Sequence, residues 1–336
     1  MLTIGRVIRV SALLLILFLA VVIVSLFAGA APIDIKRGIV GLVWFWRDGD
    51  YYLAPAERMI LFSVRLPRIL FAGIVGACLS LAGVVFQGLL RNPLADPYIL
   101  GVSGGAAVGA IAGLIIGAGG VPFGIPILAF VGAAMTILIV FGIARTGNLL
   151  STGTLLLAGV MTNAFFSAVI LFLMAISSNA DLRNALFWLM GDLSSAGGHE
   201  AIMTGTFLAV GFVILYLQSR SLNLLVTGEE TAQQLGIRVE AAKIILFTTA
   251  SLVTAAAVAV CGIIGFVGLM VPHMMRMGLG SDHRLLLPAS ALFGASFLAA
   301  SDTVARTILA PAELPVGVVT ALLGAPYFVF ILRRGS

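Results

Sequence analysis

Long apolar runs alternate with short connections rich in charge, proline or glycine along almost the whole sequence. A helix needs roughly 20 apolar residues to cross a bilayer, and many of the runs approach this length. They predict ten helices, at about residues 10–30, 66–90, 98–118, 124–145, 152–175, 201–219, 241–262, 264–279, 285–306 and 314–332. The pattern therefore predicts an all-α polytopic membrane protein with a single transmembrane domain over residues 1–336.

The composition agrees with this pattern. Hydrophobic residues make up 61% of the chain and charged residues only 10%, and the mean hydropathy is +1.17, which excludes a soluble globular domain of this size. The first apolar run, from Val10 to about Ala30, follows Arg6 and Arg9. It is longer than the core of a signal peptide and has no convincing cleavage site, so we interpret it as the first span.

Residues 222–240, LNLLVTGEETAQQLGIRVE, form a polar island in this apolar chain. Thr227 could cap a helix and Glu230 could complete a capping box, while Gly236 could end the helix in the left-handed conformation. Glu229 and Glu230 suit the positive end of the helix dipole. Apolar anchors beside the helix would be Leu225, Val226, Leu235 and Ile237. The prediction is a short helix of about two turns, either a solvated loop or a docking element.

Ten spans place both termini on the same side of the membrane. If that side is the cytoplasm, 11 of the 19 Lys and Arg residues lie inside, as the positive-inside rule favours. We therefore predict that both termini and the polar island are cytoplasmic.

Two glycine patterns concern helix packing. The third predicted span has glycine at every fourth position, a ridge that would wind across the helix and let several neighbours pack in turn; these are Gly101, Gly105, Gly109, Gly113 and Gly117. A weak similarity at an offset of 180 residues suggests an inverted repeat; it matches Phe86, Gly88 and Leu89 with Phe266, Gly268 and Leu269.

Motifs for enzyme chemistry are missing. The chain has no GxxxxGK[ST] loop, so we expect that it does not hydrolyse ATP and that any such energy comes from a partner. The histidines lack ligand spacing, and Cys78 and Cys261 are interpreted as two small buried hydrophobic residues rather than a disulfide or metal site. No bound cofactor or metal, no nucleic-acid partner and no enzymatic activity are predicted.

The spans contain few ionisable residues, whereas ion-coupled transporters usually place such residues near mid-membrane. Asp302 is the nearest candidate, but it lies one turn from Arg306, and a local ion pair is the favoured interpretation. An ion-coupled secondary transporter and a non-transporting scaffold remain the alternatives from other classes.

Basic and aromatic residues mark the predicted outer side. Basic residues are usually enriched on the cytoplasmic side, yet three lie on the predicted outer side: Arg65, Arg68 and Arg306. They could bind acidic groups of a soluble partner or lipid headgroups. The segment 32–63 carries an aromatic cluster that fits an interfacial belt or a ligand-stacking platform; its members are Trp44, Phe45, Trp46, Tyr51 and Tyr52.

Two features mark the predicted inner side. Residues 91–97, RNPLADP, form a tight elbow, because two prolines prevent a simple continuation of the helix. Ser151 and Thr152 open the fifth span, where they could cap it or narrow a pore.

With these residues in view, the chain resembles the FecCD-type permeases of type II ABC importers, which include vitamin B12, haem and ferric-siderophore permeases. The similarity spans residues 65–327 in the family's order. The matching segments are RLPRILFAGIVGACLSLAGVVFQGLLRNPLADPYILGVSGG, STGTLLLAGV, GEETAQQLGI, GFVGLMVPHMMR, DHRLLLPASALFGAS and AELPVGVVTALLGAPYF.

The resemblance implies roles for individual residues. The segment 222–240 would be the cytoplasmic coupling-helix loop that docks on the ATPase, through Thr227, Gly228, Glu229, Glu230, Leu235 and Gly236. The outward arginines Arg65, Arg68 and Arg306 would meet acidic residues on a periplasmic binding protein. The cytoplasmic gate would comprise Asn92, Leu94, Ser151 and Thr152, although Gly153 stands where the family's vitamin B12 permeases have a serine.

The resemblance also implies an assembly. A homodimer would hold the pathway along its axis, lined largely by the fifth and tenth helices, in the bacterial inner membrane. Two copies of a separate ATPase, with ATP and Mg bound to them, would drive alternating access. The expected function is import of an iron chelate, a ferric siderophore or haem, with cobalamin as the alternative substrate.

Overall fold

The computed structural model describes residues 3–29, 31, 33–34, 36, 38–40, 53–146, 149–194 and 197–334. Two short strands form an antiparallel hairpin, β1 (Arg145–Thr146) and β2 (Leu149–Leu150), in which Arg145 pairs with Leu150. The helices, in chain order, are α1 (Ile4–Phe27), α2 (Pro55–Leu89), α3 (Val102–Ile115), α4 (Gly124–Ala144), α5 (Thr152–Ile176), α6 (Asn179–Leu189), α7 (Gly198–Leu217), α8 (Ser219–Thr227), α9 (Glu229–Gln234), α10 (Val239–Cys261), α11 (Val267–Leu279), α12 (His283–Thr307) and α13 (Val316–Arg334).

Helix α2 occupies the centre of the bundle. Its most apolar window is 89% buried, whereas the corresponding windows of α1 and α5 are only 17% and 22% buried. The neighbours α10 and α12 are each 72% buried. The core therefore lies around α2, and the other long helices present apolar surface outward.

The predicted membrane fold is confirmed. Among the described residues, seven helices are long and apolar enough to cross a membrane, and α3 and α13 are shorter apolar helices. With the 13-residue α11, each predicted span has a helix in the structure. The boundaries differ in two places. Helix α2 begins at Pro55, because the π-helical stretch Met59–Arg65 continues it toward the N-terminus, and α3 begins only after the 3₁₀ turn Pro97–Leu100.

Two described helices, α6 and α8, were not predicted as separate elements. Both contain too many polar residues to register as apolar runs. The side chain of Ser178 caps α6 by accepting a hydrogen bond from the Asp181 N–H. Helix α8 follows α7 after a single residue, Gln218, so no proline or glycine in the sequence marks its start.

The three ridge glycines inside α3 pack mainly against one neighbour, α4. A Cβ added at Gly105, Gly109 or Gly113 would meet residues of α4 in every case. The remaining two glycines of the pattern, Gly101 and Gly117, lie outside α3. A Cβ at Gly101 would lie 3.4 Å from Gly159 and Asn163 of α5, so the ridge meets two helices, α4 along α3 and α5 at its start.

Glycine also brings α2 and α12 into backbone contact. A Cβ at Gly76 would fall on the carbonyl group of Gly294, and a Cβ at Gly294 would meet the Gly76 carbonyl oxygen and Ser80. This is the close approach that small residues permit between membrane helices.

Three other sequence features are the suggested repeat, the two cysteines and the aromatic cluster. The positions matched in the suggested repeat lie at opposite helix ends, since Leu89 ends α2 and Phe266 precedes α11. Cys78 and Cys261 are free and buried, as predicted. The aromatic cluster of Trp44, Phe45, Trp46, Tyr51 and Tyr52 lies outside the described residues.

Candidate functional site

The polar island folds as the end of α8, a turn at Gly228 and the six-residue helix α9. The predicted capping box is wrong. Helix α8 continues through Thr227, so this residue is the last of one helix rather than the cap of the next, and its hydroxyl donates to the carbonyl of Leu224 at 2.8 Å. Gly228, with φ 138°, precedes α9 instead. Glu229 and Glu230 lie in the first turn of α9, as expected for the helix dipole.

Gly236 ends α9 in the left-handed conformation, as predicted. Its φ is 84°, and its N–H donates to the Gln233 carbonyl at 3.0 Å while the Ile237 N–H donates to the Ala232 carbonyl at 3.0 Å. These two bonds form a Schellman motif, which satisfies carbonyl groups that the helix end leaves free.

The anchoring of the polar island differs from the expectation at two positions. Leu225 is buried and Ile237 packs against the core, but Val226 is 38% and Leu235 57% exposed. Ala232 is the buried residue of α9. The helix thus leaves Leu235 and Glu230 at the surface, where a partner could contact them.

Two side chains tie α8 to the rest of the bundle. Asn223 donates to Asp282 at 3.0 Å and accepts from the His283 N–H at 2.9 Å, which joins α8 to the start of α12. Arg91, in the elbow after α2, donates to the Leu225 carbonyl at 3.2 Å. Hydrogen bonds from Arg284 and Asn223 hold the pKa of Asp282 well below its usual range.

The residues predicted to form the gate lie on two segments. Ser151 caps α5, since its Oγ accepts from the Thr154 N–H at 3.3 Å. Asn92 and Leu94 belong to the elbow, where Asn92 Oδ1 accepts from the Leu94 N–H at 2.9 Å. Asn92, Leu94 and Ser151 are all exposed. Within the described residues, no hydrogen bond links Asn92 or Leu94 to Ser151 or Thr152.

The elbow also contains a perturbed carboxyl group. Burial raises the pKa of Asp96 to about 6, although the hydrogen bond from the Tyr98 N–H acts in the opposite direction. Asp96 caps the short 3₁₀ turn that leads into α3.

Sequence reasoning missed a cluster beside the gate, which we call the lysine cluster: Glu229, Glu240 and Lys243. The ammonium of Lys243 forms ion pairs with Glu229 at 3.0 Å and with Glu240 at 2.8 Å. Thr152 Oγ1 lies 3.5 Å from Glu229 Oε1, at the outer limit for a hydrogen bond. The polar island therefore contacts the start of α5 directly.

The predicted docking arginines lie at a second site. Arg68 binds Asp302 through two nitrogens, with Nη2 2.9 Å and Nε 3.1 Å from Oδ1, and Glu313 at 2.7 Å. Arg306 Nε lies 3.1 Å from Asp302 Oδ2, close enough for an ion pair but outside hydrogen-bond geometry. The predicted Asp302–Arg306 pair is therefore present. We call these four residues, Arg68, Asp302, Arg306 and Glu313, the arginine cluster.

The three predicted docking arginines face inward. Arg65 and Arg306 are only 4% and 6% exposed, and Arg65 donates to the carbonyls of Leu26 and Ala31 at 2.7 and 2.6 Å. Only Glu313, whose side chain is 46% exposed, opens to the surface. All three predicted arginines thus have internal partners in this conformation, and their docking role stays a prediction.

Among the described residues, no group of three His, Cys, Asp or Glu side chains is placed to hold a metal ion. The chemistry of the two clusters is accordingly that of ion pairs and hydrogen bonds between helices.

Comparisons with known proteins agree with the fold. Residues 15–334 match the model of the FecCD transport family. The chain is 41% identical to the hemin transport system permease protein HmuU of Yersinia pestis, over 97% of each chain. It is 46% identical to the cobalamin import system permease protein BtuC of Halobacterium salinarum, over 84% of this chain and 77% of that one.

A solved structure is also similar. It shows an inward-facing conformation of a transporter assigned to the metal-chelate type of ABC transporters. The TM-score is 0.84 at 33% identity, with 97% of this chain and 99% of that chain covered. The chain therefore belongs to the FecCD transport family and is a permease of the ABC importer class.

Proposed function

We propose that this permease moves an iron chelate, a ferric siderophore or haem, from the periplasm to the cytoplasm. The observation that carries the proposal is the polar island: a short helix fixed at both ends, exposing Glu230 and Leu235 and contacting the start of α5 through Glu229. A partner that binds the exposed side chains can displace such a helix, and the displacement is transmitted to the residues that the helix contacts. The full-length similarity to a hemin permease supports an iron chelate, and the cobalamin relative keeps cobalamin as the alternative.

The working assembly in this proposal is a homodimer in the bacterial inner membrane, with both termini in the cytoplasm. Helix α5 exposes large apolar side chains along its length, including Leu157, Met161 and Phe165 at 59–64% exposure, and α13 exposes Leu322 at 68%. A second copy facing α5 and α13 would bring two sets of Asn92, Leu94, Ser151 and Thr152 around one pathway. This arrangement would complete a gate that one protomer leaves open.

The energy would come from two copies of a separate ATPase, which bind ATP and Mg. Closure of the ATPase pair would displace α9, contacted at Gly228, Glu229, Glu230, Leu235 and Gly236. The described spans offer few charges for ion coupling, and Asp302 is already paired with Arg68 and Arg306. Alternating access driven by ATP therefore fits the charge distribution better than ion coupling does.

A periplasmic binding protein would deliver the substrate at the arginine cluster. Acidic groups on that protein could replace Glu313 on Arg68, because Glu313 is the exposed member of the cluster. Recognition by exchange of carboxylates would make docking depend on charge and on ionic strength.

The test is uptake into proteoliposomes that contain the permease with its ATPase and binding protein. Ferric siderophores, haem and cobalamin would be offered in parallel, with and without ATP and an ionophore. We expect ATP-dependent uptake of one iron chelate that the ionophore does not affect. Uptake of cobalamin alone would select the alternative substrate, and uptake abolished by the ionophore but independent of ATP would overturn the importer mechanism.

A further inference from the structure

Lys243 is a buried charge between the polar island and the gate. It lies in the second turn of α10 and is only 3% exposed. Its Nζ lies 2.6 Å from the Leu150 carbonyl oxygen, 3.0 Å from Glu229 Oε2 and 2.8 Å from Glu240 Oε1. An ammonium group has three N–H donors, so these acceptors match its full capacity. Burying such a group without partners is strongly unfavourable, and its position therefore depends on all three acceptors.

Lys243 and Glu240 together bind both backbone polar groups of one residue, Leu150. Glu240 Oε2 accepts a hydrogen bond from the Leu150 N–H at 2.7 Å, and Lys243 donates to the Leu150 carbonyl. Leu150 directly precedes Ser151, the cap of α5, and its side chain is also buried. The chain entering α5 is thus fixed by charged side chains of α10.

Glu229 connects the same ammonium to α9. It is the first residue of that helix, and its side chain is 43% exposed. A shift of α9 would pull on Lys243 through this ion pair, and Lys243 would pull on the Leu150 carbonyl. Within the described residues, the only other side-chain hydrogen bond that Glu229 accepts from this region is the long one donated by the Thr152 hydroxyl, at 3.5 Å.

We propose that Lys243 is a positioning residue that transmits movement of α9 to the start of α5, and so links ATP hydrolysis to gate opening. This inference rests on the proposed function, since it assumes that α9 meets the ATPase. A lysine with a purely structural role would affect the stability of the protein without changing how much substrate moves for each ATP hydrolysed.

The experiment measures substrate molecules imported per ATP hydrolysed, using the complete transporter in proteoliposomes. Lys243→Met keeps the length of the side chain and removes its charge. We expect the ratio to fall by about tenfold, in the range of typical coupling between sites, while ATP hydrolysis continues. Lys243→Arg keeps the charge and should restore most of the ratio. Arg220→Met is the matched control, because it removes an exposed basic residue of α8 that is outside the lysine cluster.

A second variant guards against failure of Lys243→Met to assemble. Glu229→Gln removes the charge of the partly exposed partner and should lower the same ratio, and the double variant should be no worse than Lys243→Met alone if both act in one chain of contacts. An unchanged ratio in an assembled Lys243→Met or Glu229→Gln transporter would overturn the inference while wild-type import stands. Hydrolysis without any wild-type import would instead overturn the proposed function.

Discussion

Arg68 forms an ion pair with Asp302 in which two guanidinium nitrogens, Nε and Nη2, donate to the carboxylate, although the residues lie 234 positions apart in the chain. The Asp302 side chain is fully buried and that of Arg68 is 11% exposed. The pair connects α2 to α12. Arg306 approaches the same carboxylate, so one negative charge serves two guanidinium groups.

Replacement of Asp302 should therefore be costly. Asp302→Asn leaves Arg68 and Arg306 close together without a compensating buried charge, and removal of one partner of a buried pair costs about 3 kcal/mol or more. Glu313→Gln is the matched comparison, because a half-exposed pair contributes at most about 1 kcal/mol. Thermal unfolding of the purified protein in detergent would compare the two. Equal losses of stability would contradict the description of Asp302 as the centre of the cluster.

Glu313→Gln should also strengthen docking. If Arg68 exchanges Glu313 for a carboxylate of the binding protein, removing the internal competitor should raise the affinity by up to about fivefold, the equivalent of a surface pair. Binding to the permease in nanodiscs would measure this at two salt concentrations. Glu57→Gln serves as the control, since Glu57 caps the start of α2 outside the arginine cluster. An unchanged affinity would show that docking does not involve Arg68.

Gly236→Pro should uncouple transport from hydrolysis. Proline cannot adopt the φ of 84° at this position and has no N–H to donate to Gln233. Gly236→Asn should retain most uptake, because asparagine tolerates the left-handed conformation. A Cβ at Gly236 would meet nothing within 4 Å, so side-chain bulk cannot explain a difference between the variants. Uptake and ATP hydrolysis would be measured together, and normal uptake by the proline variant would contradict the coupling role of α9.

Cysteine cross-linking can test the homodimer. Gly153→Cys places a thiol in the first turn of α5, beside the predicted gate, and Gly142→Cys places one on α4; a Cβ at either position meets nothing within 4 Å. Cys78 and Cys261 are buried, so background reaction should be low. We expect an oxidant to form dimers of the Gly153→Cys protein only, as judged by non-reducing gels. Equal cross-linking of both variants, or of neither, would argue against a gate on the dimer axis.

Asp96 should make stability depend on pH. Its pKa is raised from 3.8 to about 6, so the folded protein binds this proton more tightly than the unfolded chain does. Stability from this group is complete below pH 4, decreases as the pH rises toward about 6, and is constant above. Asp96→Asn should remove this slope and raise the melting temperature at pH 7 more than at pH 4. A wild-type slope retained in the variant would assign the dependence to another group.

The membrane spans and the α9 terminator could be predicted from the sequence because they depend on local signals. Apolar run length locates a span, and a glycine such as Gly236 marks a left-handed helix end. The prediction that Thr227 caps a helix is wrong because α8 and α9 directly adjoin. No signal near Thr227 distinguishes the last residue of one helix from the cap of the next.

The contents of the two clusters could not be predicted in this way. Lys243 counts only as one basic residue near a span end until folding brings Leu150, 93 residues earlier, to its ammonium. The inward direction of Arg68 likewise depends on Asp302 and Glu313, which approach from distant positions. Such partners follow from tertiary packing, which a single sequence does not reveal.

The backbone contact between Gly76 and Gly294 determines where the molecule can bend. The two helices touch backbone to backbone at this point, and the Arg68–Asp302 pair joins them again at one end. With these two attachments, we expect α2 and α12 to move together. Any bending of the molecule during a transport cycle would then have to occur outside this helix pair.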